Sequence, residues 1–302
     1  MVISTNILFL SFGLFIFSVV QANSGPLSRL DSSSSLSLID WIFNIHQYEE
    51  HYFSQNNEDG VIQYILRNIN EKYKGPHFFV EFGVQDGQEC STRYLFEKFG
   101  WKGLLMDGSN ANSSKNLHKE MITQRNIVNL LSKYNVPKEF GLLSVDTDFC
   151  DYHILSRILE NNYRPAIIIV EVNSKISPYH FKSVPCEDDG KPHFWEGDDY
   201  FSASPAAFHY LGAKFDYSMV YCESKGINCF LVRDDLINSK VKISKMLKTK
   251  KLQKPPKYGQ YPNNLMMCGG HSPSSNKSYI DVRPPENTGD NVFLSCLHSL
   301  KW

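Results

Sequence analysis

The chain has 302 residues, 42% hydrophobic and 21% charged, with a formal net charge of −1. That suits one globular domain of about 200–250 residues plus appendages. The balanced charge excludes a nucleic-acid or acidic-membrane binder working through bulk charge. Seven cysteines fit an oxidising compartment, and their odd number leaves at least one thiol free or paired between chains.

From the N-terminus, Ile7 to Val20 is almost wholly apolar, and Val20-Gln21-Ala22 precedes a plausible cut after Ala22. Too short to span a bilayer, this stretch reads as a signal peptide over 1–22, with a retained signal anchor as the alternative. The mature chain, with no further span, is then expected to be secreted or to stay in the secretory-pathway lumen. Asn112-Ser113-Ser114 and Asn276-Lys277-Ser278 are glycosylation sequons consistent with that route. Residues 23–50 read as a Ser-rich linker and a short helix over Ser37–His46, 51–238 as the folded domain, and 239–302 as a Lys-rich, then Pro/Ser-rich extension. Lys240 to Lys257 has almost no interleaved aromatics, so it reads as a solvated helix face or linker, not a nucleic-acid patch.

Inside the domain, apolar runs alternate with helix-length segments. Val61, Ile62, Ile65, Leu66 and Ile69 predict a helix over Asn57–Ile69. A strand over His77–Gly83, a helix over Ser91–Phe99 and a strand over Lys102–Asp107 follow. Helices are expected over Asn112–Ile122 and Ile127–Tyr134, then a strand over Phe140–Val145 and a helix over Tyr152–Asn161. Ala166–Glu171 is continuously apolar, as in a strand covered on both faces. A helix over Tyr200–Leu211 precedes a hairpin of Phe215–Cys222 and Ile227–Val232. The pattern is α/β, a Rossmann-like doubly wound sheet, mostly parallel, with a terminal antiparallel hairpin.

Such sheets bind ligands beyond the carboxyl ends of their strands. There the sequence sets Glu81, Gly83 and Gly87 after the first strand, and Asp107 after the second, about 20 residues beyond Gly87. Glycines permit a tight turn close to a ligand, and a carboxylate at that distance suits ribose hydroxyls. Asp146, Asp148 and Asp151 follow Val145, while Glu171 and Asn173 end the "AIIIVE" run. Those acids suit helix capping, substrate or cofactor contact, or a hard divalent ion, and no metal is assigned.

"FVEFGVQDGQEC", "GLLMDG", "LLSVDTDFCDY" and "IIIVEVN" together resemble the FkbM-type branch of class I S-adenosylmethionine-dependent methyltransferases, over about Ser54 to Asp235. The resemblance implies that Glu81, Gly83 and Gly87 line the methionine side of S-adenosylmethionine and that Asp107 holds its ribose. Asp146, Asp148 and Glu171 would face the methyl group and a small-molecule or sugar acceptor. Gln55, Glu58 and Asp59 of "SQNNEDG" would lie near the cofactor. Where the family carries glycine after its Asp-x-acid, this chain has Phe149, whose ring is expected to fill or reshape the acceptor pocket.

Cys90 and Cys150 follow the first and fourth strands, neighbours in this sheet order, and could bridge across the cleft mouth. Cys222 and Cys229 flank the hairpin turn, while Cys268 and Cys296 could fasten the tail. Two functions compete. One is an O-methyltransferase. The other is a secreted protein keeping the fold for ligand or partner binding, or for another reaction, such as oxidation, on a small aromatic substrate.

Overall fold

A computed structural model describes residues 40–187, 189, 192–237, 249–257, 270–272, 274 and 276–283. The expected signal peptide, most of the linker, Cys268 and Cys296 lie outside the described residues. The helices are α1 Asp40–Asn44, α2 Glu58–Ile69, α3 Arg93–Phe99, α4 Ile127–Lys133, α5 Asp151–Glu160, α6 Pro205–Lys214 and α7 Thr249–Leu252. The strands are β1 Phe78–Phe82, β2 Lys102–Asp107, β3 Leu117–Lys119, β4 Glu139–Val145, β5 Arg164–Glu171, β6 Lys182–Ser183, β7 Tyr217–Cys222, β8 Asn228–Arg233 and β9 Ile280–Asp281.

Seven strands form one sheet in the order β3-β2-β1-β4-β5-β8-β7. The first five run parallel, and β8 is antiparallel to both β5 and β7. This is the expected doubly wound α/β fold with its terminal hairpin. The residues of β5 from Pro165 to Val170 are all buried, because helices cover both faces and leave no side to be polar.

The order of travel reverses between β1 and β4, and that switch point opens a crevice at the carboxyl ends. Right-handed crossovers then set α3, which leads away to β2, on one face and α5, which leads the other way to β5, on the opposite face. This geometry explains a correction. Cys150, at the start of α5, pairs with Cys186 rather than Cys90, with Cα atoms 5.8 Å apart. Cys90 enters α3 across the sheet and is a buried free thiol. Cys222 and Cys229 do pair across the β7–β8 turn.

The helix expected over Asn112–Ile122 does not form. The Asn112 side chain accepts from the backbone N–H of Ser114, tightening a single 3-10 turn over Ser113–Lys115. Asn116 then takes a left-handed φ of 52° that ends it. Leu117 is left to pair with Leu105 as the edge strand β3. The expected Tyr200–Leu211 helix starts later, at Pro205, where Ser204 caps it by accepting from the Ala207 N–H. The short helix near residue 40 continues as a 3-10 turn over Ile45–Tyr48.

Part of the C-terminal extension docks on the domain. β9 pairs with β6, Tyr200 donates to the Ser278 carbonyl, and Gln253 donates to the carbonyls of Ser174 and Ile176.

Candidate active site

A cleft of about 610 Å³ lies at the carboxyl ends of β1, β2, β4 and β5. It brings all seven residues expected at the site together except Gly87: Glu81, Gly83, Asp107, Asp146, Asp148 and Glu171 line its wall. Asp86 and Glu89 add two more acids, and among the described residues no Lys or Arg lines it. The remaining wall includes Trp195, Phe201 and His271, with Trp195 and His271 rings edge-on at 4.4 Å.

The β1–β2 half is held by hydrogen bonds. Glu81 accepts from the Ser91 N–H at 2.8 Å, and from the Thr92 N–H and hydroxyl at 3.0 and 2.5 Å. Burial pushes its pKa up to about 7 against the pull of these donors. Asp107 Oδ2 takes the Gln85 N–H, while Oδ1 takes the Ser109 N–H and both the N–H and side-chain amide of Asn110. Four donors nearly fill the acceptor capacity of one carboxylate. Gly83 has a φ of 71°, and a Cβ there would overlap the carbonyl oxygen of Asp146, so only glycine lets β1 and β4 close up at this turn. Gly87 also has positive φ, 72°, and its carbonyl takes the Lys115 ammonium at 2.7 Å.

The β4–β5 half is different. One carboxylate oxygen from each of Asp146, Asp148 and Glu171 falls within 4.8 Å of the others. Asp146 and Glu171 are held well above the usual carboxylate range, by burial first and then by neighbouring acids. Asp148 is shifted the same way, by burial and then by Asp107; it is exposed, with a left-handed φ of 63°. Oε2 of Glu171 is buried without a partner.

Asp151, expected among the acids after β4 and also as a possible helix cap, is fully buried at the first turn of α5. Its Oδ1 accepts from the Thr147 N–H and hydroxyl, while Oδ2 is buried and unpartnered. Burial pushes its pKa up to about 6. Asn173 does not join these acids. Its amide donates to the carbonyls of Asp199 and Phe201 and to the Tyr279 hydroxyl, fixing the loop that carries Phe201.

Phe149 does not line the cleft. Its ring lies parallel to His193 at 6.1 Å and edge-on to Tyr200 at 6.0 Å. Of the "SQNNEDG" segment, Gln55 reaches the cleft wall. Asp59 instead accepts from the N–H groups of Tyr52, Phe53 and Ser54, and Glu58 from Asn56 and Asn228. Sequence reasoning missed His271. No signal tied it to the site, because only docking of the distant extension brings it there.

No family model and no curated protein matches the chain. A solved structure described as a SAM dependent methyltransferase from Aquifex aeolicus aligns at 10% identity and a TM-score of 0.26. The alignment covers 68% of this chain and 97% of that one. At such values the fold assignment rests on the strand order itself.

Proposed function

We propose that the chain is a divergent, secreted FkbM-type methyltransferase that uses S-adenosylmethionine to methylate a hydroxyl of a small molecule or sugar. The observation that carries this reading is a cleft at the switch point of a doubly wound sheet whose described wall holds carboxylates and no Lys or Arg. The cofactor's sulfonium and ammonium are cations, and its aminoacyl and ribose portions suit the turn after β1 and the acid after β2. The paired cysteines, and the lack of a membrane-length helix among the described residues, are compatible with a secretory setting.

In the transfer, Asp146 or Asp148 would take the proton of the acceptor hydroxyl, with Glu171 on the same wall. The cofactor, when bound, would supply the methyl group, the C–S electron pair staying on sulfur as the O–C bond forms and S-adenosylhomocysteine leaves. Most of the rate enhancement in such a reaction comes from alignment in the cleft.

Calorimetry of the mature, glycosylated protein with S-adenosylmethionine and S-adenosylhomocysteine tests this. Saturable heat at up to millimolar cofactor is expected, and no heat would end the reading. The second reading, a retained fold that binds or transforms a small aromatic ligand, is favoured by Glu81 and Asp107 being already engaged by the protein, and by the Trp195–Phe201–His271 wall. Binding of a phenolic ligand by a chain that ignores the cofactor would select it.

A further inference from the structure

We infer that Asp146, Asp148 and Glu171 form a binding site for one hard divalent cation, with the buried Asp151 carboxylate holding a water on that ion. Two ligands of one ion lie at most two metal–ligand distances apart, and the three carboxylate oxygens all lie within 4.8 Å of one another, within reach of a single ion. All three donors are carboxylate oxygens, the set that selects Mg²⁺, Ca²⁺ or Mn²⁺ over softer metals.

The independent observation is Asp151. It is fully buried, and Thr147 takes Oδ1 alone, leaving Oδ2 without a partner. Buried carboxylate oxygens ordinarily find a donor, and an orphan of this kind marks a missing ion or water. Its charge is the largest one acting on Asp146, and it also acts on Glu171, which places it against the same group. The second orphan, Oε2 of Glu171, belongs to the cluster itself. Among the described residues of the cleft wall no Lys or Arg balances these charges. Asp151 lies outside the three-oxygen group, so it reaches the ion through a bound water, the arrangement by which outer carboxylates orient metal ligands.

The site takes the carboxylates that the methyl-transfer reading assigns to proton transfer, and its binding is measured apart from that reading on the cofactor-free chain. Mn²⁺ binding to the cofactor-free chain, followed by electron paramagnetic resonance with Ca²⁺ and Mg²⁺ as competitors, tests it directly. One Mn²⁺ per chain is expected, displaced by an excess of Ca²⁺ or Mg²⁺. Asp146→Asn and Glu171→Gln should each weaken binding at least tenfold, and Asp151→Asn about tenfold. Glu89→Gln, at the cleft wall outside the cluster, should leave it unchanged. Asp148→Asn, at an exposed side chain, keeps the test readable if the buried variants misfold, and it too should weaken binding. No Mn²⁺ bound at millimolar concentration, or affinity unmoved in Asp148→Asn, overturns the site. Mn²⁺ bound by a chain that ignores S-adenosylmethionine would uphold it while removing the methyltransferase reading, and cofactor binding with no Mn²⁺ would do the reverse.

Discussion

The two halves of the cleft are built from the same side chain put to opposite uses. On the β1–β2 side, Glu81 and Asp107 are saturated with backbone and side-chain donors and clasp the loops above the strands. On the β4–β5 side, Asp146, Asp148 and Glu171 face one another, two nearby carboxylate oxygens have no partner, and the acids are pushed toward their neutral forms. A carboxylate that accepts several N–H bonds is part of the scaffold. One that meets other carboxylates is held ready for a cation or a proton.

This contrast predicts unequal costs of mutation. Asp107→Ala orphans four donors, and at about 1 kcal/mol net for each lost bond it should destabilise the fold by about 4 kcal/mol. Asp151→Asn should be neutral or stabilising in the metal-free chain, because it removes a buried charge with an unpartnered oxygen. Urea unfolding of both variants would erase the contrast if they lost the same stability.

The next effect concerns the disulfide that ties the acid loop after β4 to the segment before α6. Cys150→Ser with Cys186→Ser opens a loop of sequence separation 36 and should cost about 3–4 kcal/mol, measured by thermal unfolding against the oxidised parent. Opening the hairpin bridge, with a separation of 7, should cost less by the same loop-entropy reasoning.

The pH dependence follows from burial. Glu81 is pushed up to about 7 and Asp151 to about 6, and Asp146, Asp148 and Glu171 move the same way. The folded chain therefore keeps protons that the unfolded chain releases. The stability these groups contribute is full below the ordinary carboxylate range, about pH 4, and is lost as pH rises through 6 to 7. Glu120, Asp199 and Asp281 are shifted down, so their contribution is lost only below that range; His153, His209 and His271 are lowered by burial and add stability as pH rises toward about 6.5, opposing the more numerous acids inside this window without reversing them. The urea midpoint of metal-free protein should fall between pH 4.5 and 8; a rising midpoint would contradict the crowded-acid account. The smallest effect is expected at Asp148, whose exposed side chain and left-handed φ of 63°, a conformation that Asn shares with Asp, should allow Asp148→Asn within about 0.5 kcal/mol of the parent.

Local composition determined much of this molecule. The continuous apolar runs gave β1, β2, β4 and β5, because a strand covered on both faces has no polar alternation. The acids ending those runs were visible as a group, since strands in a parallel sheet deliver their carboxyl ends to one edge. The hairpin bridge was legible too, because Cys222 and Cys229 sit across a single turn.

Only the tertiary structure decided the rest. Cys150 is joined to Cys186 because opposite crossovers put α3 and α5 on opposite faces, a property of the whole sheet that no spacing records. His271 reaches the cleft because Ser272 bridges to Asp198 and Lys175 donates to the His271 carbonyl, and Phe149 turns from it to meet His193 and Tyr200. Above all, whether an acid is clasped or left facing its own kind depends on which N–H groups the folded loops bring to it. The sequence places Asp107 and Asp146 alike at strand ends, and three-dimensional donor placement makes them different.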